Sequence, residues 1–416
     1  MIVLRGKFLM NRLTYGISVL IISGAVLLSS CSTNLGPETL PSTTPSTEPT
    51  ETEPEVTTKQ TTPESTEPAS EALVTESIVE RNGHITTKGT MLWSSKGEQV
   101  VLKGMSSYGI QDCMNFFTPE VVKTLAEDWG CDVLRISING DADTGYLKEP
   151  EKYFDPVCKI CDMCINQGIY VIVDWSVGYD KEAMENKAVA VDMFTRISAI
   201  YSDSPNLIYE IANDDSTPDE ANPVKDEWTK VTVPFATDVI KAIRANSPKS
   251  LIIVDAPGNG LDIGAVVDSK TKLKFDNIAY SCRIFSGTHG EDQRTAIQKA
   301  LKKGLCMFVS EWGLCSSDLK GGVYFLESDK WLEFLSENRV SWCIYAIGSK
   351  VNNDSNALNL ISDKYTDEQK AGHWPDGLIS KAGHYAREQI LYGKVNTDTE
   401  ETASTSESSS ETAQTA

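Results

Sequence analysis

The chain has 416 residues, 40% of them hydrophobic, and a formal net charge of −21. It is long enough for one large domain with a sizeable core or for two ordinary ones, and its acidic balance excludes a nucleic-acid partner, whose phosphates it would repel. The excess is concentrated: residues 32–80 hold ten Glu against one Lys and residues 398–416 hold five acids and no base, which leaves −10 for residues 81–397.

At the start of the chain Arg5, Lys7 and Arg12 precede the apolar run YGISVLIISGAVLL, the charged-then-apolar order of an export signal. The run is short for a transmembrane span, although such an anchor is the alternative reading. It closes on LSSC, which resembles the lipobox of bacterial lipoproteins. The resemblance implies that residues 1–31 are a lipoprotein signal peptide and that Cys31 becomes the lipidated first residue. The protein would then be exported and held at the cell surface of a bacterium by a membrane anchor. Residues 32–78 are Ser, Thr, Pro and Glu with almost no apolar content. They cannot bury enough surface to offset the entropy of ordering and should form a disordered stalk, stiffened by proline and extended by like charge. Residues 394–416 read as a similar disordered acidic tail. The folded unit is therefore expected over 79–393.

That unit opens on TMLWSSKGEQVVL, a short β-hairpin with Lys96-Gly97 at its turn. Eight nearly continuous apolar runs come next: VVLKGMSSYG (100–109), VLRISI (133–138), YVIVDW (170–175), NLIYEIAN (206–213), LIIVDA (251–256), NIAYSCRI (277–284), CMFVSEW (306–312) and WCIYAI (342–347). Such runs suit strands buried on both faces. Segments with helical spacing, such as PEVVKTLAEDWG and DKWLEFLSENR, lie between them. Eight such units predict an α/β fold, a closed (β/α)8 TIM barrel, with the N-terminal hairpin placed to plug its floor. A doubly wound open sheet is disfavoured because no Gly-rich phosphate loop follows the first strand.

Nine cysteines follow Cys31, so not all can pair within the chain. Cys158, Cys161 and Cys164 have the spacing that opens a ferredoxin cluster loop. They sit, however, in EKYFDPVCKICDMCINQG, a helical stretch ending at Gly168, where a spacing of three keeps them on one face. They are expected to be free, packed thiols, and so many thiols on an exported protein suggest an anaerobic habitat. The sequence holds no zinc or iron–sulfur constellation, and the fold class requires no organic cofactor.

Barrel enzymes carry their chemistry at the C-terminal ends of the strands. Those ends present Tyr108, Arg135, Asp174, Trp175, Ser176, Asn213, Asp214, Arg283, Phe285, Glu311, Trp312 and Trp342. Asp214 after the fourth strand and Glu311 after the seventh can face each other, and a retaining glycosidase uses two carboxyls about 5–5.5 Å apart as acid/base and nucleophile. Arg135 nearby would keep Glu311 ionised. Trp342 offers a flat apolar face to a sugar ring. Trp175 and Trp312 serve either as rim core or as sugar platforms.

The segments LKGMSSYGIQ, GIYVIVDW, NLIYEIAN, SGTHG, FVSEWG and the tryptophan of VSWCIY, in this order over most of 85–390, resemble glycoside hydrolase family 5 in its bacterial endo-β-1,4-glucanase (cellulase) branch. The resemblance implies a (β/α)8 barrel, a retaining mechanism and β-glucan or a related polysaccharide as partner. It sets Glu311 at the nucleophile position, Asp214 at the acid/base position where Glu is expected, and Asn213 beside it. Arg135, Trp342, Lys350 and His289 fall on residues that line the family's cleft. The departures fall in one layer: Asp214 and Asp215 stand in place of Glu-Pro, Tyr108, Ser176 and Arg283 in place of histidines, and Phe285 in place of a tyrosine. A substrate-facing tryptophan is missing near Asn259. Asp is one methylene shorter than Glu, so its oxygen falls short by about 1.5 Å. Phe285 cannot donate the hydrogen bond that a tyrosine would give the nucleophile, and Arg283 is expected to clamp Glu311 by a bidentate pair. Three readings are compatible with these residues: a surface glycan-binding barrel with impaired or lost hydrolysis, an active retaining endoglucanase using Asp214, or a scaffold whose cleft binds nothing. For Glu311 itself, nucleophile and buried ion-paired carboxylate both stay open.

Overall fold

The first helix starts from a complete cap. Ser77 precedes the short helix Ile78–Asn82, its hydroxyl accepts the Glu80 N–H, and the Glu80 carboxylate accepts the Ser77 N–H in return, a reciprocal capping box. In this computed structural model the described residues are 76–140, 145–177, 183–202, 204–214, 227–319, 321–348, 360 and 371–393, with Asn115, Val177, Ala183 and Asp214 described by their backbone alone. The signal segment, Cys31, the stalk before residue 76, Asp215, Lys350 and the acidic tail lie outside them.

The expected hairpin is present as β2 (Met91–Trp93) and β3 (Gln99–Val100), with Gly97 in the left-handed region at φ 84°. A further strand, β1 (Thr86–Lys88), pairs antiparallel with β2, so the element is a three-stranded sheet. Its sequence, Thr-Thr-Lys, has no apolar alternation to announce a strand. Ile85, Leu92, Val100 and Leu102 pack with Val133, Ile172, Ile208, Ile253 and Phe308 in one buried cluster, and this is the plug under the barrel.

All eight apolar runs form strands: β4 (Lys103–Gly109), β5 (Val133–Asn139), β6 (Tyr170–Val177), β7 (Leu207–Asp214), β8 (Ile252–Asp255), β9 (Ile278–Phe285), β10 (Met307–Gly313) and β11 (Ser341–Ile347). They close into a parallel barrel in chain order, β11 pairing with β4. Helices such as Pro119–Glu127, Val233–Asn246 and Phe325–Glu337 cover the outside with their apolar faces, which gives the predicted (β/α)8 architecture. Pro150–Asn166 is the cysteine-bearing helix; Cys161 and Cys164 are buried, Cys158 is half-buried, and all three are free. Burial pushes the three thiols above their usual pKa. Among the described residues no group of His, Cys, Asp or Glu is arranged to hold a metal.

Four barrel strands carry one residue more than the neighbour they pair with: β4 after Ser106, β7 between Glu210 and Asn213, β10 between Phe308 and Glu311, and β11 between Tyr345 and Ile347. The bulges of β4, β7 and β11 lie toward the C-terminal ends of their strands, and that of β10 is central. Strand side chains alternate between faces, so one extra residue reverses the face of everything after it. In β7 the bulge holds Ala212 at φ 60°, a conformation that costs a non-glycine residue about 1–3 kcal/mol. Its effect is that Glu210 and Asn213, an odd number of residues apart, both point into the barrel.

Candidate functional site

The middle of the barrel is filled with charge. Arg135 of β5 is fully buried. Its Nε and Nη2 donate to the two oxygens of Glu210 at 2.8 and 3.2 Å, its Nη1 to Ser106 Oγ at 2.9 Å and Glu311 Oε2 at 3.3 Å, and its Nη2 lies 2.9 Å from Asp174 Oδ2. One guanidinium thus serves three carboxylates from β6, β7 and β10. Burial alone would lower its pKa, but Asp174, Glu210 and Glu311 outweigh that and raise it.

The carboxylates differ in their answer to burial. Glu210 is held below its usual range although burial pushes the other way, because Arg135, Ser310 and the Asp255 carboxyl all support its anion. Asp255 is pushed well above the usual range by burial and then by the charge of Glu210. The two carboxyls are therefore driven in opposite directions, Glu210 toward the anion and Asp255 toward the acid. Asp174 is pushed up to about 7, first by burial, against the pull of Arg135, while the charge of Glu210 adds to the rise.

Above this layer opens a cleft of about 480 Å³, within the range of small-molecule sites. Ser176, Asn213, Arg283, Phe285, His289, Glu311 and Tyr345 are among its lining residues. Asn213 and Glu311 therefore stand where the sequence places them, at the ends of β7 and β10. His289 also lines the cleft. Its Nδ1 accepts the Phe285 backbone N–H at 2.9 Å, so the neutral ring carries its proton on Nε2, and burial lowers its pKa. The side chain of Asp214 and all of Lys350 lie outside the described residues, so the separation of the two carboxyls is not part of this geometry.

Three expectations are corrected. Arg135 does not reach the cleft; it lies beneath it with its charge consumed by carboxylates, and its role is to hold Glu311 and Glu210. Trp342 is buried on the outer face of β11, edge-on to Trp312 at 5.5 Å between ring centroids. Its neighbour Cys343 belongs to the interior floor cluster, so alternation sends Trp342 outward. The aromatic of β11 that lines the cleft is Tyr345, which packs edge to face with Tyr108 at 5.3 Å and Phe285 at 6.4 Å between ring centroids, both also lining residues. Finally, Arg283 does not clamp Glu311 in bidentate fashion. Its Nε is 3.9 Å from Glu311 Oε2, while its Nη1 is drawn to Asn259 Oδ1 at 2.6 Å. The turn Pro257–Gly260 brings Asn259 there through a run of left-handed residues, Gly258 and Asn259 among them.

Trp175 and Trp312 are fully buried core residues of the rim. Glu210, Asp255 and Tyr345 were not singled out by sequence reasoning. A carboxylate inside the otherwise apolar LIYEIA was the available signal for Glu210, since a charge at a buried strand position requires a partner.

The whole barrel has known counterparts. Residues 93–351 match the family described as Cellulase (glycosyl hydrolase family 5). Endoglucanase A of Evansella cellulosilytica is 33% identical over 314 residues, which cover 76% of this chain and 61% of that protein. An endoglucanase of Clostridium saccharobutylicum is 32% identical over 323 residues, 78% of this chain and 68% of the relative. This chain therefore matches less than two thirds of the length of the first and about two thirds of the second. Among solved structures, the catalytic domain of Thermobifida fusca endoglucanase Cel5A superposes with a TM-score of 0.67 at 25% identity, covering 76% of this chain and 99% of that domain. A form of that domain has been solved in complex with cellotetraose.

Proposed function

Because this chain belongs to glycosyl hydrolase family 5, we propose that it is an exported, lipid-anchored surface protein that binds β-linked glucan in the barrel cleft and hydrolyses it poorly or not at all. The relatives' names and the cellotetraose complex of the Thermobifida domain support a β-glucan as ligand. The anchor rests on the export signal and the LSSC that ends in Cys31.

The observation that carries the impaired-hydrolysis reading is the company Glu311 keeps. Ser176, Arg283 and Phe285 line the cleft with it. A hydroxymethyl group, a guanidinium and an unsubstituted ring stand there, where the family resemblance implies two imidazoles and a phenol. None of the three can shuttle a proton at neutral pH, and proton transfer by a positioned group is worth about 10²–10⁴-fold. A working endoglucanase with Asp214 as a short acid is the second reading, favoured by the retained Glu311 and Asn213.

Affinity electrophoresis through gels containing β-1,4-glucan, xylan or mannan tests the binding half. We expect retardation by the glucan, reduced several-fold in Tyr345→Ala, whose half-exposed ring lines the cleft. Trp342→Ala should instead cost about 3–5 kcal/mol of stability by opening a core cavity, with affinity unchanged wherever the protein is folded. Migration unaffected by all three polysaccharides leaves only the scaffold reading. Equal loss of affinity in both variants means the aromatic has been misassigned.

A further inference from the structure

Asp174 of β6 lies under the cleft with no access to solvent, and the donors that reach it are distributed unevenly. Ser137 Oγ at 2.7 Å, Asn213 Nδ2 at 2.8 Å and Arg135 Nη2 at 2.9 Å all converge on Oδ2. Asp174 Oδ1 has no hydrogen-bond partner, and neither does Asn213 Oδ1, although both atoms are buried. The bonded pair therefore contains two acceptors without donors, a costly arrangement at this depth.

One proton removes both deficits. Placed on Asp174 Oδ1, it is donated to Asn213 Oδ1, and together with the existing Nδ2–H···Oδ2 bond it closes an acid–amide ring of two hydrogen bonds. We propose that Asp174 is the positioning residue for Asn213: as a carboxylic acid it locks both ends of the Asn213 amide, and as a carboxylate it leaves the buried Asn213 oxygen without a donor, which frees the amide to turn that oxygen up into the cleft toward a glycan hydroxyl. Asn213 is a cleft-lining residue, so the protonation state of a group that never meets the ligand sets the hydrogen-bonding character of one that does.

The surroundings place this change near neutrality. Arg135 and Ser137 face Asp174 from β5, Glu210 and Asn213 from β7, and Asp255 acts on it from β8. Burial and the Glu210 charge favour the acid, while Arg135 and the bonds from Ser137 and Asn213 favour the anion; the balance stands at about 7. The β7 bulge with left-handed Ala212 is what turns Asn213 back toward β6, so the strained backbone is explained by this pairing.

The ligand-facing half of this inference rests on the glycan-binding reading; the acid–amide half does not, and the test separates them. In protein labelled with 15N-asparagine, the side-chain amide resonances of Asn213, assigned by their loss in Asn213→Ala, are followed from pH 5 to 9. We expect them to shift with a single midpoint between about pH 6 and 8, and the shift to vanish in Asp174→Asn, which carries no proton to lose. Ser137→Ala, which removes one donor from the anion and leaves the carboxyl in place, should move the midpoint upward. It serves as the second variant where Asp174→Asn does not fold. In parallel, affinity for a soluble β-1,4-glucan should rise about two- to tenfold through the same midpoint, the worth of one neutral hydrogen bond. Asn213 resonances that stay flat over the whole range, or the same midpoint in Asp174→Asn, overturn the proposal. A titrating amide with no glucan bound at any pH keeps the acid–amide pair and overturns the role toward ligand, together with the glycan-binding reading itself.

Discussion

Replacing Arg135 with methionine is expected to destabilise the barrel by at least about 3–5 kcal/mol, the usual penalty for removing one partner of a buried ion pair. The reason is specific to this interior. Arg135 is the common partner of Asp174, Glu210 and Glu311; Glu311 borders the cleft, but Asp174 and Glu210 are fully buried and cannot turn to water without breaking the sheet. The methionine would fill the space of the aliphatic stem and leave three carboxyls facing one another. They would respond by taking up protons, so the loss should be larger at pH 8 than at pH 5. The sign comes from Asp174: its folded pKa, about 7, already lies above the unfolded value against the pull of Arg135, and without that pull it rises further, so the variant loses more stability than the native protein as pH rises to 8. Arg135→Lys should recover only part of the loss, because an ammonium cannot make the forked contact with Glu210 and reach Ser106 as well. Urea unfolding at the two pH values gives the answer. A change below about 1 kcal/mol at pH 8, comparable to removing an exposed pair such as Lys123–Glu127, would mean that the cluster is not held together by its arginine.

The second large effect concerns hydrolysis. Asp214→Glu alone should leave β-glucan turnover where it is, whereas the combination Ser176→His, Asp214→Glu, Arg283→His and Phe285→Tyr should raise it by about 10²-fold or more. Lengthening residue 214 supplies reach but no proton relay. Arg283 would still pair with Glu311 at 3.9 Å and weaken it as an attacker, and Phe285 would still offer it no hydrogen bond. The packing gives some room for the reversal. A Cβ on Gly260 would lie 2.9 Å from Arg283 Cγ, so the turn is moulded closely around the long side chain, and a shorter imidazole relieves rather than adds crowding. Phe285 is wedged against Gly313, where a Cβ would come within 2.3 Å of the ring, so a tyrosine there keeps the same ring position. Adding Glu311→Ala to the combined variant should abolish whatever activity was gained. Substantial turnover in the single Asp214→Glu variant would show that the neighbours matter less than the missing methylene.

The fold was readable in the chain because each barrel strand is buried on both faces and so shows as an unbroken apolar run; all eight runs became strands within a few residues. The cysteine helix was equally plain, its end marked by Gly168 at φ 66°. What the chain hid is register. The four bulges add single residues inside apolar runs, where nothing in composition announces them, and they decide which of two adjacent residues faces the cleft. This is why the motif rather than counting places Asn213 and Glu311; the Trp342 expectation has another cause, since it and Tyr345 both precede the β11 bulge. Counting two residues on from the interior Cys343 would have found Tyr345. The roles of Asp174 and Asp255 are beyond any one-dimensional reading, since they depend on which carboxyls the fold gathers around Arg135 and Glu210.

One assay bears most directly on whether this barrel binds glucan without cleaving it: release of reducing ends from a soluble β-1,4-glucan by the purified protein, measured beside Glu311→Ala and on a preparation whose retention by the same glucan has been verified. We predict a protein that is held by the polymer yet yields no more ends than the variant. Brisk cleavage that disappears with Glu311→Ala would establish Asp214 as a competent acid and contradict that prediction.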